Sequence, residues 1–499
     1  MIRSNVVDKD VQYCSWKTLQ SEERGHFSTY LNEILRSNPS AVAGLQEFSS
    51  DEERVLFCSS LNRVDSFVVK PVFKKKDEEQ ARLRREQGNT AFHKKWYKQA
   101  LVMYSMSIVK APAGDECLAY SLANRSACLY YLGEIQLCMA DVKLALEAGY
   151  PAQLHYKLYE RLTKCYNLLG EREAAVKYAA QAKRALEKQK DKFEQAKYKN
   201  AMQALVKLAI SVSSKDPMAI DSIVVAENHV TKVPKLTSKA NKKIKEFSNL
   251  LRVEYKPAVG RHVVADKAVR AGDTLVVEDP FAAVLYPEKA GSNCDYCFAK
   301  LRSVVPCKWC SGVGFCCAEC RDKACATYHR YECQYTDLLQ GLGASALVRL
   351  ALRIITQHPL EYFKKQRTDL NVDTEKTEFK SESYLAVFNL VGLDHKRWPE
   401  DMFARSVMAV TLLKILKAAK YFGPGQAETP SDTFTDDEIL IGSLLLRHLN
   451  VLQFNAHEVY ELLRGDRTKL KPCKNHMIGL AVYPRASYFN HSCQPTVTR

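Results

Sequence analysis

Nine cysteines and one histidine crowd the 40 residues from Cys294 to Cys333, a density that suits metal or disulfide chemistry. They come as Cys294-x2-Cys297, Cys307-x2-Cys310, Cys316-x3-Cys320 and His329-x3-Cys333. Zinc takes four nitrogen or sulfur ligands in a tetrahedron, and a Cys-x2-Cys knuckle presents two thiolates to one ion without strain. Eight such ligands make two sites and leave Cys317 and Cys325 over. So short a stretch cannot bury a core of its own, so the metal must supply its folding free energy. A reduced loop or a disulfide framework is the competing reading. The odd total of 17 cysteines and a polar, charged N-terminus without a secretory pattern argue against disulfides. Two zinc ions are expected, and the spacing allows either sequential or interleaved pairing.

A second polar constellation, Asn490-His491-Ser492-Cys493-x-Pro495, follows a strand-like run at 477–484. Taken alone, an asparagine and a histidine in a turn after a strand serve equally well as a polar cap on a sheet edge.

The elements that must hold these groups divide by pattern. A chain of 499 residues with 46% hydrophobic and 26% charged residues has material for two to four globular domains. Its longest apolar runs, such as 407–413, are far too short to span a bilayer, so no membrane association is expected. Cysteines scattered outside the dense segment fit a reducing compartment, cytoplasm or nucleus. A net charge of +16 permits an acidic partner without requiring one. Small residues recur in register: Gly88, Ser126 and Thr163, then Ala100, Cys138 and Ala175, then Ser107, Ala145 and Ala182. That is the tetratricopeptide pattern of paired helices crossing closely, at a period of 37 or 38 residues, with Phe92, Tyr97, Tyr104, Leu129 and Tyr166 filling the gaps. A plain helical bundle is the bland alternative. A capping helix is expected near 191–211. The lysines at 232, 235, 239, 242, 243 and 245 read as a solvated linker or helix face in preference to a nucleic-acid contact.

From Leu251 the character turns to β. Residues 263–265 and 274–277 read as a hairpin around the turn 270–273. Beyond the cysteines, 344–357, 403–421 and 438–463 carry helical apolar spacing, with polar loops at 364–383 and 423–437.

Two of these motifs carry a family resemblance. The cysteine and histidine spacing, with Phe315-Cys316, resembles a MYND finger. Asn490-His491-Ser492-Cys493-x-Pro495 resembles the signature of SET-domain protein-lysine methyltransferases. With the intervening helices, the order of parts is similar to the SET-and-MYND-domain family. The resemblance implies a multidomain α+β chain: an N-terminal helical extension (1–75), tetratricopeptide repeats with a capping helix (76–215), a basic linker (216–249) and the first part of a split SET domain (250–290). A MYND finger (291–334), a helical insert (335–470) and the start of the C-terminal SET core (471–499) follow. In that family the two zinc sites interleave, which implies Cys294, Cys297, Cys316 and Cys320 on one ion and Cys307, Cys310, His329 and Cys333 on the other. It further implies S-adenosyl-L-methionine as cofactor, with Gly260, Arg261, His262, Asn455, Ser487, Phe489, Asn490 and His491 at its site. His262 stands where many members have glycine, and Thr496 replaces a common asparagine. The reaction implied is methyl transfer to a neutral lysine amine of a protein substrate. The family's channel tyrosine and Cys-x-Cys zinc site lie downstream of the motif, and neither type of residue follows Cys493 here. The expectation is therefore a chain ending inside the SET domain, without a catalytic tyrosine of its own and with little turnover. A non-catalytic adaptor of repeats and finger is the alternative.

The repeats carry one ligand expectation. In register, Arg85 and Asn89, Asn124, and Lys157 and Arg161 fall on successive first helices, four residues apart within each pair, along the concave groove of such a stack. The set resembles the carboxylate clamp of co-chaperones that hold the acidic C-terminal tails of Hsp70 and Hsp90, with Arg85 where a lysine is usual.

Overall fold

The computed structural model describes residues 15–21, 25–214, 233–257, 259–371, 380–423, 434–463, 474–492 and 494–497. It divides into two compact units: Met1–Phe73 with Lys232–Phe298 and Asp322–Arg499, and Lys74–Thr231 with Ala299–Arg321.

The first unit begins with α1 (Phe27–Ser37), α2 (Ala41–Leu45) and α3 (Asp51–Ser59). In α1, Phe27, Leu31 and Ile34 make one apolar face. The start of α3 is fixed by a capping box between Ser50 and Glu53. These faces enter the same hydrophobic cluster as the later helices of the unit. A Cβ added at Gly442 would lie 2.8 Å from Val55 Cγ1, so contact there is backbone-close.

The second unit is built of helix pairs: α4 (Glu78–His93) with α5 (Tyr97–Lys110), α6 (Glu116–Tyr131) with α7 (Ile135–Glu147), and α8 (His155–Leu168) with α9 (Arg172–Glu187), closed by α10 (Gln195–Ser214). The small residues of the register pattern are buried throughout. Their size is required, because a Cβ on Gly88 would stand 2.6 Å from the Tyr104 ring. Gly133 and Gly170 end the first helices of the second and third pairs with φ +76° and +77°, and Lys95 takes the same turn in the first pair at φ +61°. Glycine adopts that conformation freely, whereas lysine does so at a cost of about 1 kcal/mol. Between α6 and α7, Arg125 and Asp141 form a buried bidentate pair, with Nε–Oδ2 and Nη2–Oδ1 both 2.7 Å. Ser303 Oγ donates to Asp141 Oδ1 at 3.2 Å and Arg302 pairs with Glu134 at 2.9 Å, which seats the 299–321 segment on this face of the repeats.

Back in the first unit, β1 (Leu251–Lys256) pairs antiparallel with β2 (Gly260–Ala265), from Leu251 opposite Ala265 to Lys256 opposite Gly260. This corrects the expected hairpin of 263–265 with 274–277. Gly260, at φ +67°, makes the nearer turn available, so β2 closes on the strand before it. Residues 274–277 lie instead beside 246–248, where Ser248 N–H donates to Leu275 O at 2.8 Å and Val277 N–H to Glu246 O at 3.0 Å.

β3 (Ala282–Leu285) precedes the cysteine-rich segment. That segment contains β4 (Val305–Pro306), β5 (Gly314–Phe315), α11 (Ala318–Ala326) and α12 (His329–Glu332). The helices α13 (Thr336–Gly341), α14 (Ala346–Thr356), α15 (Leu360–Gln366), α16 (Tyr384–Phe388), α17 (Pro399–Ala418) and α18 (Asp436–Asn455) follow. Pro399 sits in the first turn of α17, and Thr435 with Glu438 forms a capping box for α18. The expected helix over 438–463 stops at Asn455. Ala456–Leu463 is β6, an edge strand paired with β7 (Lys474–Val482), which pairs in turn with β3. Pairing with β7 outweighs the helical apolar spacing that continues through Val459 and Leu462. No helix among the described residues is long and apolar enough to cross a membrane.

Candidate functional site

The cysteine-rich segment brings its ligands together in two groups. Cys294, Cys297, Cys316 and Cys320 form one and Cys307, Cys310, His329 and Cys333 the other, each with its ligand atoms within 4.8 Å of one another. The pairing is thus interleaved. The β4–β5 ladder explains it, because Val305 opposite Phe315 sets Cys307 after one strand and Cys316 after the other. The second group is wholly buried, while Cys297 of the first is exposed. Trp309 N–H points at Cys307 Sγ at 3.4 Å, an amide suited to steadying a thiolate. Four thiolates, or three thiolates and an imidazole, are donor sets that could each hold a metal ion, and zinc fits both. Cys317 and Cys325 belong to neither group. Behind His329, Tyr328 Oη donates to Asp295 Oδ2 at 2.9 Å, and Arg353 pairs with Glu332 at 2.8 Å while lying 3.5 Å from the Tyr328 ring centroid.

A second site forms around the Asn-His-Ser motif. Residues 486–488 make one tight helical turn after β7, and Phe489 leaves it in extended backbone. Asn490 Nδ2 donates to Val259 O at 3.4 Å, beside Gly260. Ser487 Oγ donates to Tyr483 O at 2.9 Å and lies 3.5 Å from Asn455 O. Phe489 packs with Val253 and Val263 of the hairpin around Phe247 and Tyr488. Arg261 reaches Asn389 O at 3.2 Å and stands 5.5 Å from the Tyr488 ring, which Arg485 also faces at 5.5 Å. Three segments remote in sequence, near 260, 455 and 490, therefore meet in one place. Gly260 is needed for its positive φ, since a Cβ there would meet nothing within 4 Å. His262 Nδ1 lies 3.0 Å from Gly260 O, so its ring folds back on the turn. Asn455 is buried, and its amide nitrogen is held by Val391 O and Val451 O, each at 2.8 Å. His491 is exposed, and Cys493 lies outside the described residues.

Two residues here carry no sequence signal. His457 Nε2 stands 3.4 Å from Ser487 Oγ. Glu278 accepts the N–H groups of Arg485 and Ala486. Burial raises the Glu278 carboxyl to about 7 and Glu246 adds to the rise, while those backbone donors and Arg485 oppose it.

In the repeats, Arg85 lies 5.6 Å from the Tyr120 ring centroid. Asn89 Oδ1 accepts from Asn124 Nδ2 at 3.0 Å and from Tyr104 Oη at 2.8 Å. Lys157 is exposed. Arg161 is occupied between helices, donating to Ala123 O at 3.0 Å and Ser126 Oγ at 2.6 Å. Of the three cations in the set, Arg161 is thus the one engaged in hydrogen bonds between helices.

No family model matches the chain. Among curated proteins, Protein-lysine N-methyltransferase SMYD4 of Mus musculus is 25% identical over 484 residues, covering 85% of this chain and 60% of its own. The Danio rerio protein of the same name is 24% identical, covering 97% and 61%. The chain is thus similar to proteins of the SET-and-MYND-domain family, at 24–25% identity. It spans about 60% of the length of these curated relatives. Among solved structures, the first TPR of Spaghetti (RPAP3) bound to HSP90 peptide SRMEEVD matches 28% of this chain and 97% of its own, at 22% identity and TM-score 0.22.

Proposed function

We propose that this chain is the cofactor-binding and partner-binding part of an S-adenosylmethionine-dependent protein-lysine N-methyltransferase, with a split SET domain, two zinc ions in its MYND finger and a cytoplasmic or nuclear location. The observation that supports it most is the meeting of Val259–Gly260, Asn455 and Ser487–Asn490 around one cluster. When bound, the cofactor supplies a methyl group on a sulfonium, open to in-line attack by a neutral lysine amine. The chain's own part is to bind and orient. The turn at Gly260 offers backbone, and Asn490 offers an amide donor. Asn455 offers its side-chain oxygen, because its amide nitrogen is held by Val391 O and Val451 O. Phe489 with Tyr488 makes an apolar wall that excludes water. The test is hydrogen exchange with S-adenosylmethionine added. Amides near 260 and near 490 are expected to slow together, and Asn490→Ala to remove both effects. If saturating cofactor leaves both segments unchanged, the reading fails, and the repeats and finger stand as an adaptor.

The repeat groove would hold the protein partner, an acidic peptide with a free C-terminal carboxylate such as the Hsp70 and Hsp90 tails. Arg85 and Lys157 supply cations, and Asn89 and Asn124 supply amides. Binding of a peptide ending in Glu-Glu-Val-Asp is expected at micromolar level, about −7 to −8 kcal/mol. Because Arg161 supports packing, the decisive variants are Lys157→Ala and Arg85→Ala, each weakening binding about tenfold. An amidated peptide that binds as well as the free acid would rule this out.

A further inference from the structure

The turn that carries Ser487 is held from one side by its own backbone. Ser487 N–H donates to Tyr483 O at 3.1 Å, Tyr488 N–H to Arg485 O at 3.0 Å and Phe489 N–H to Ala486 O at 3.1 Å. The first amides of a helical turn have no acceptor within it. Here those of Arg485 and Ala486 both go to one side chain, some two hundred residues earlier. Glu278 Oε1 takes Arg485 N–H at 2.9 Å, and Oε2 takes Ala486 N–H at 2.9 Å and lies 3.2 Å from Arg485 N. Glu278 follows the 274–277 segment that runs beside 246–248, so its backbone is anchored independently of the turn. The contact is also enclosed: Arg485 is 4% exposed and Tyr488 is 6% exposed. The charged groups facing Glu278 are Glu246, from the segment beside it, and Arg485, whose Nη1 is directed to Tyr488 Oη at 3.1 Å.

We propose that Glu278 is a positioning residue of the candidate cofactor site: its carboxylate caps the 486–488 turn and so sets Ser487, Phe489 and Asn490 opposite Asn455 and the Val259–Gly260 turn. Its consequence for the cofactor rests on the reading given under Proposed function, whereas its hold on the turn does not. In its ionised form, a carboxylate accepting two successive backbone N–H groups makes charge-assisted bonds, stronger than those a neutral acceptor makes, and the protonated form keeps both oxygens as weaker acceptors. Ser487 is bonded through the same turn, and Asn490 stands only two residues beyond it. Displacement of the turn would separate both from their partners, because Ser487 Oγ is already 3.5 Å from Asn455 O and Asn490 Nδ2 is 3.4 Å from Val259 O.

The experiment is residue-resolved hydrogen exchange on the whole chain and on Glu278→Ala and Glu278→Gln, with zinc content as a check that each is folded. In Glu278→Ala, the amides of Arg485 and Ala486 should exchange about tenfold faster. Those of Leu480 and Val482 in β7 should be unchanged. Glu278→Gln, which keeps one carbonyl acceptor where there were two, should fall between. Unchanged exchange at 485 and 486 in the alanine variant overturns the proposal. So does an equal acceleration through β7, which would make Glu278 a general stabiliser of the sheet. The cofactor arm adds S-adenosylmethionine to the same samples. Protection near residue 260 should vanish in Glu278→Ala and return in part in Glu278→Gln. If the unmodified chain shows no such protection, the cofactor reading falls, and exchange at 485 and 486 still decides whether Glu278 holds the turn.

Discussion

Replacing Cys307 with serine is expected to halve the metal content of the purified chain, from two zinc ions to one, and to unfold the finger around it. Cys307 is fully buried among Cys310, His329 and Cys333. A serine hydroxyl is a poor zinc ligand, and three remaining donors cannot close a tetrahedron. Structural zinc contributes roughly 10–16 kcal/mol in small fingers, as much as the whole stability of a typical domain. The loss should therefore appear as rapid exchange of the Val305 and Phe315 amides in the β4–β5 ladder. Cys297→Ser should release the other ion, since Cys297 belongs to the first group. Cys317→Ser is the control. It lies outside both groups, although its Sγ stands 3.8 Å from Cys316 Sγ, and its variant should keep both ions. A chain that carries one ion or none before any substitution, or a Cys307→Ser chain that keeps two, would end the assignment.

That prediction draws on a part of the chain that was legible without a structure, because ligand chemistry leaves fixed spacings in sequence. The pairing was not legible, since it depends on the short β4–β5 ladder, whose two-residue strands leave almost no periodicity to read. The repeats were readable for a related reason. Gly88 is confined by the Tyr104 ring, and a position that admits no side chain marks the sequence at each repeat. The strands were harder. Residues 274–277 have the composition of a hairpin partner, but partner choice lies in the turn at Gly260 and in the 246–248 segment. The helix read over 438–463 ran on past Asn455 because Val459 and Leu462 continue an apolar spacing, and only β7 reveals the strand. Glu278 and Arg161 fail differently. A lone acid and one arginine of a basic set say nothing of which backbone groups they will meet. Their roles come from contacts across long sequence separations, which no local pattern records.

Asp401→Asn is expected to destabilise the first unit by about 3–5 kcal/mol, the cost of leaving buried charge without its partner. Asp401 is 2% exposed and lies between two guanidiniums of its own helix region, with Arg397 Nη1 2.7 Å and Arg405 Nε 3.0 Å from Oδ2. Arg405 is wholly buried, and the more distant Asp394 lies 4.0 Å from Arg397 Nε. Neutralising Asp401 would leave two buried cations with carbonyls, a hydroxyl and the Gln453 amide oxygen for compensation. Those acceptors connect the charge cluster to the candidate site. Arg397 donates to Asn450 O at 2.7 Å and Arg405 donates to Leu449 O, both in the closing turns of α18, which ends at Asn455. The loss should therefore reach beyond global stability to faster exchange in the last turn of α18. Removing one cation together with the anion separates the two contributions. Asp401→Asn with Arg405→Met should recover part of the loss, because a buried ion pair replaced by groups of similar volume is often close to neutral. Denaturant unfolding of the three proteins decides it. A cost below about 1 kcal/mol for the single variant, the range of an exposed pair, would show that water reaches the cluster and that the α18 terminus is held by packing alone.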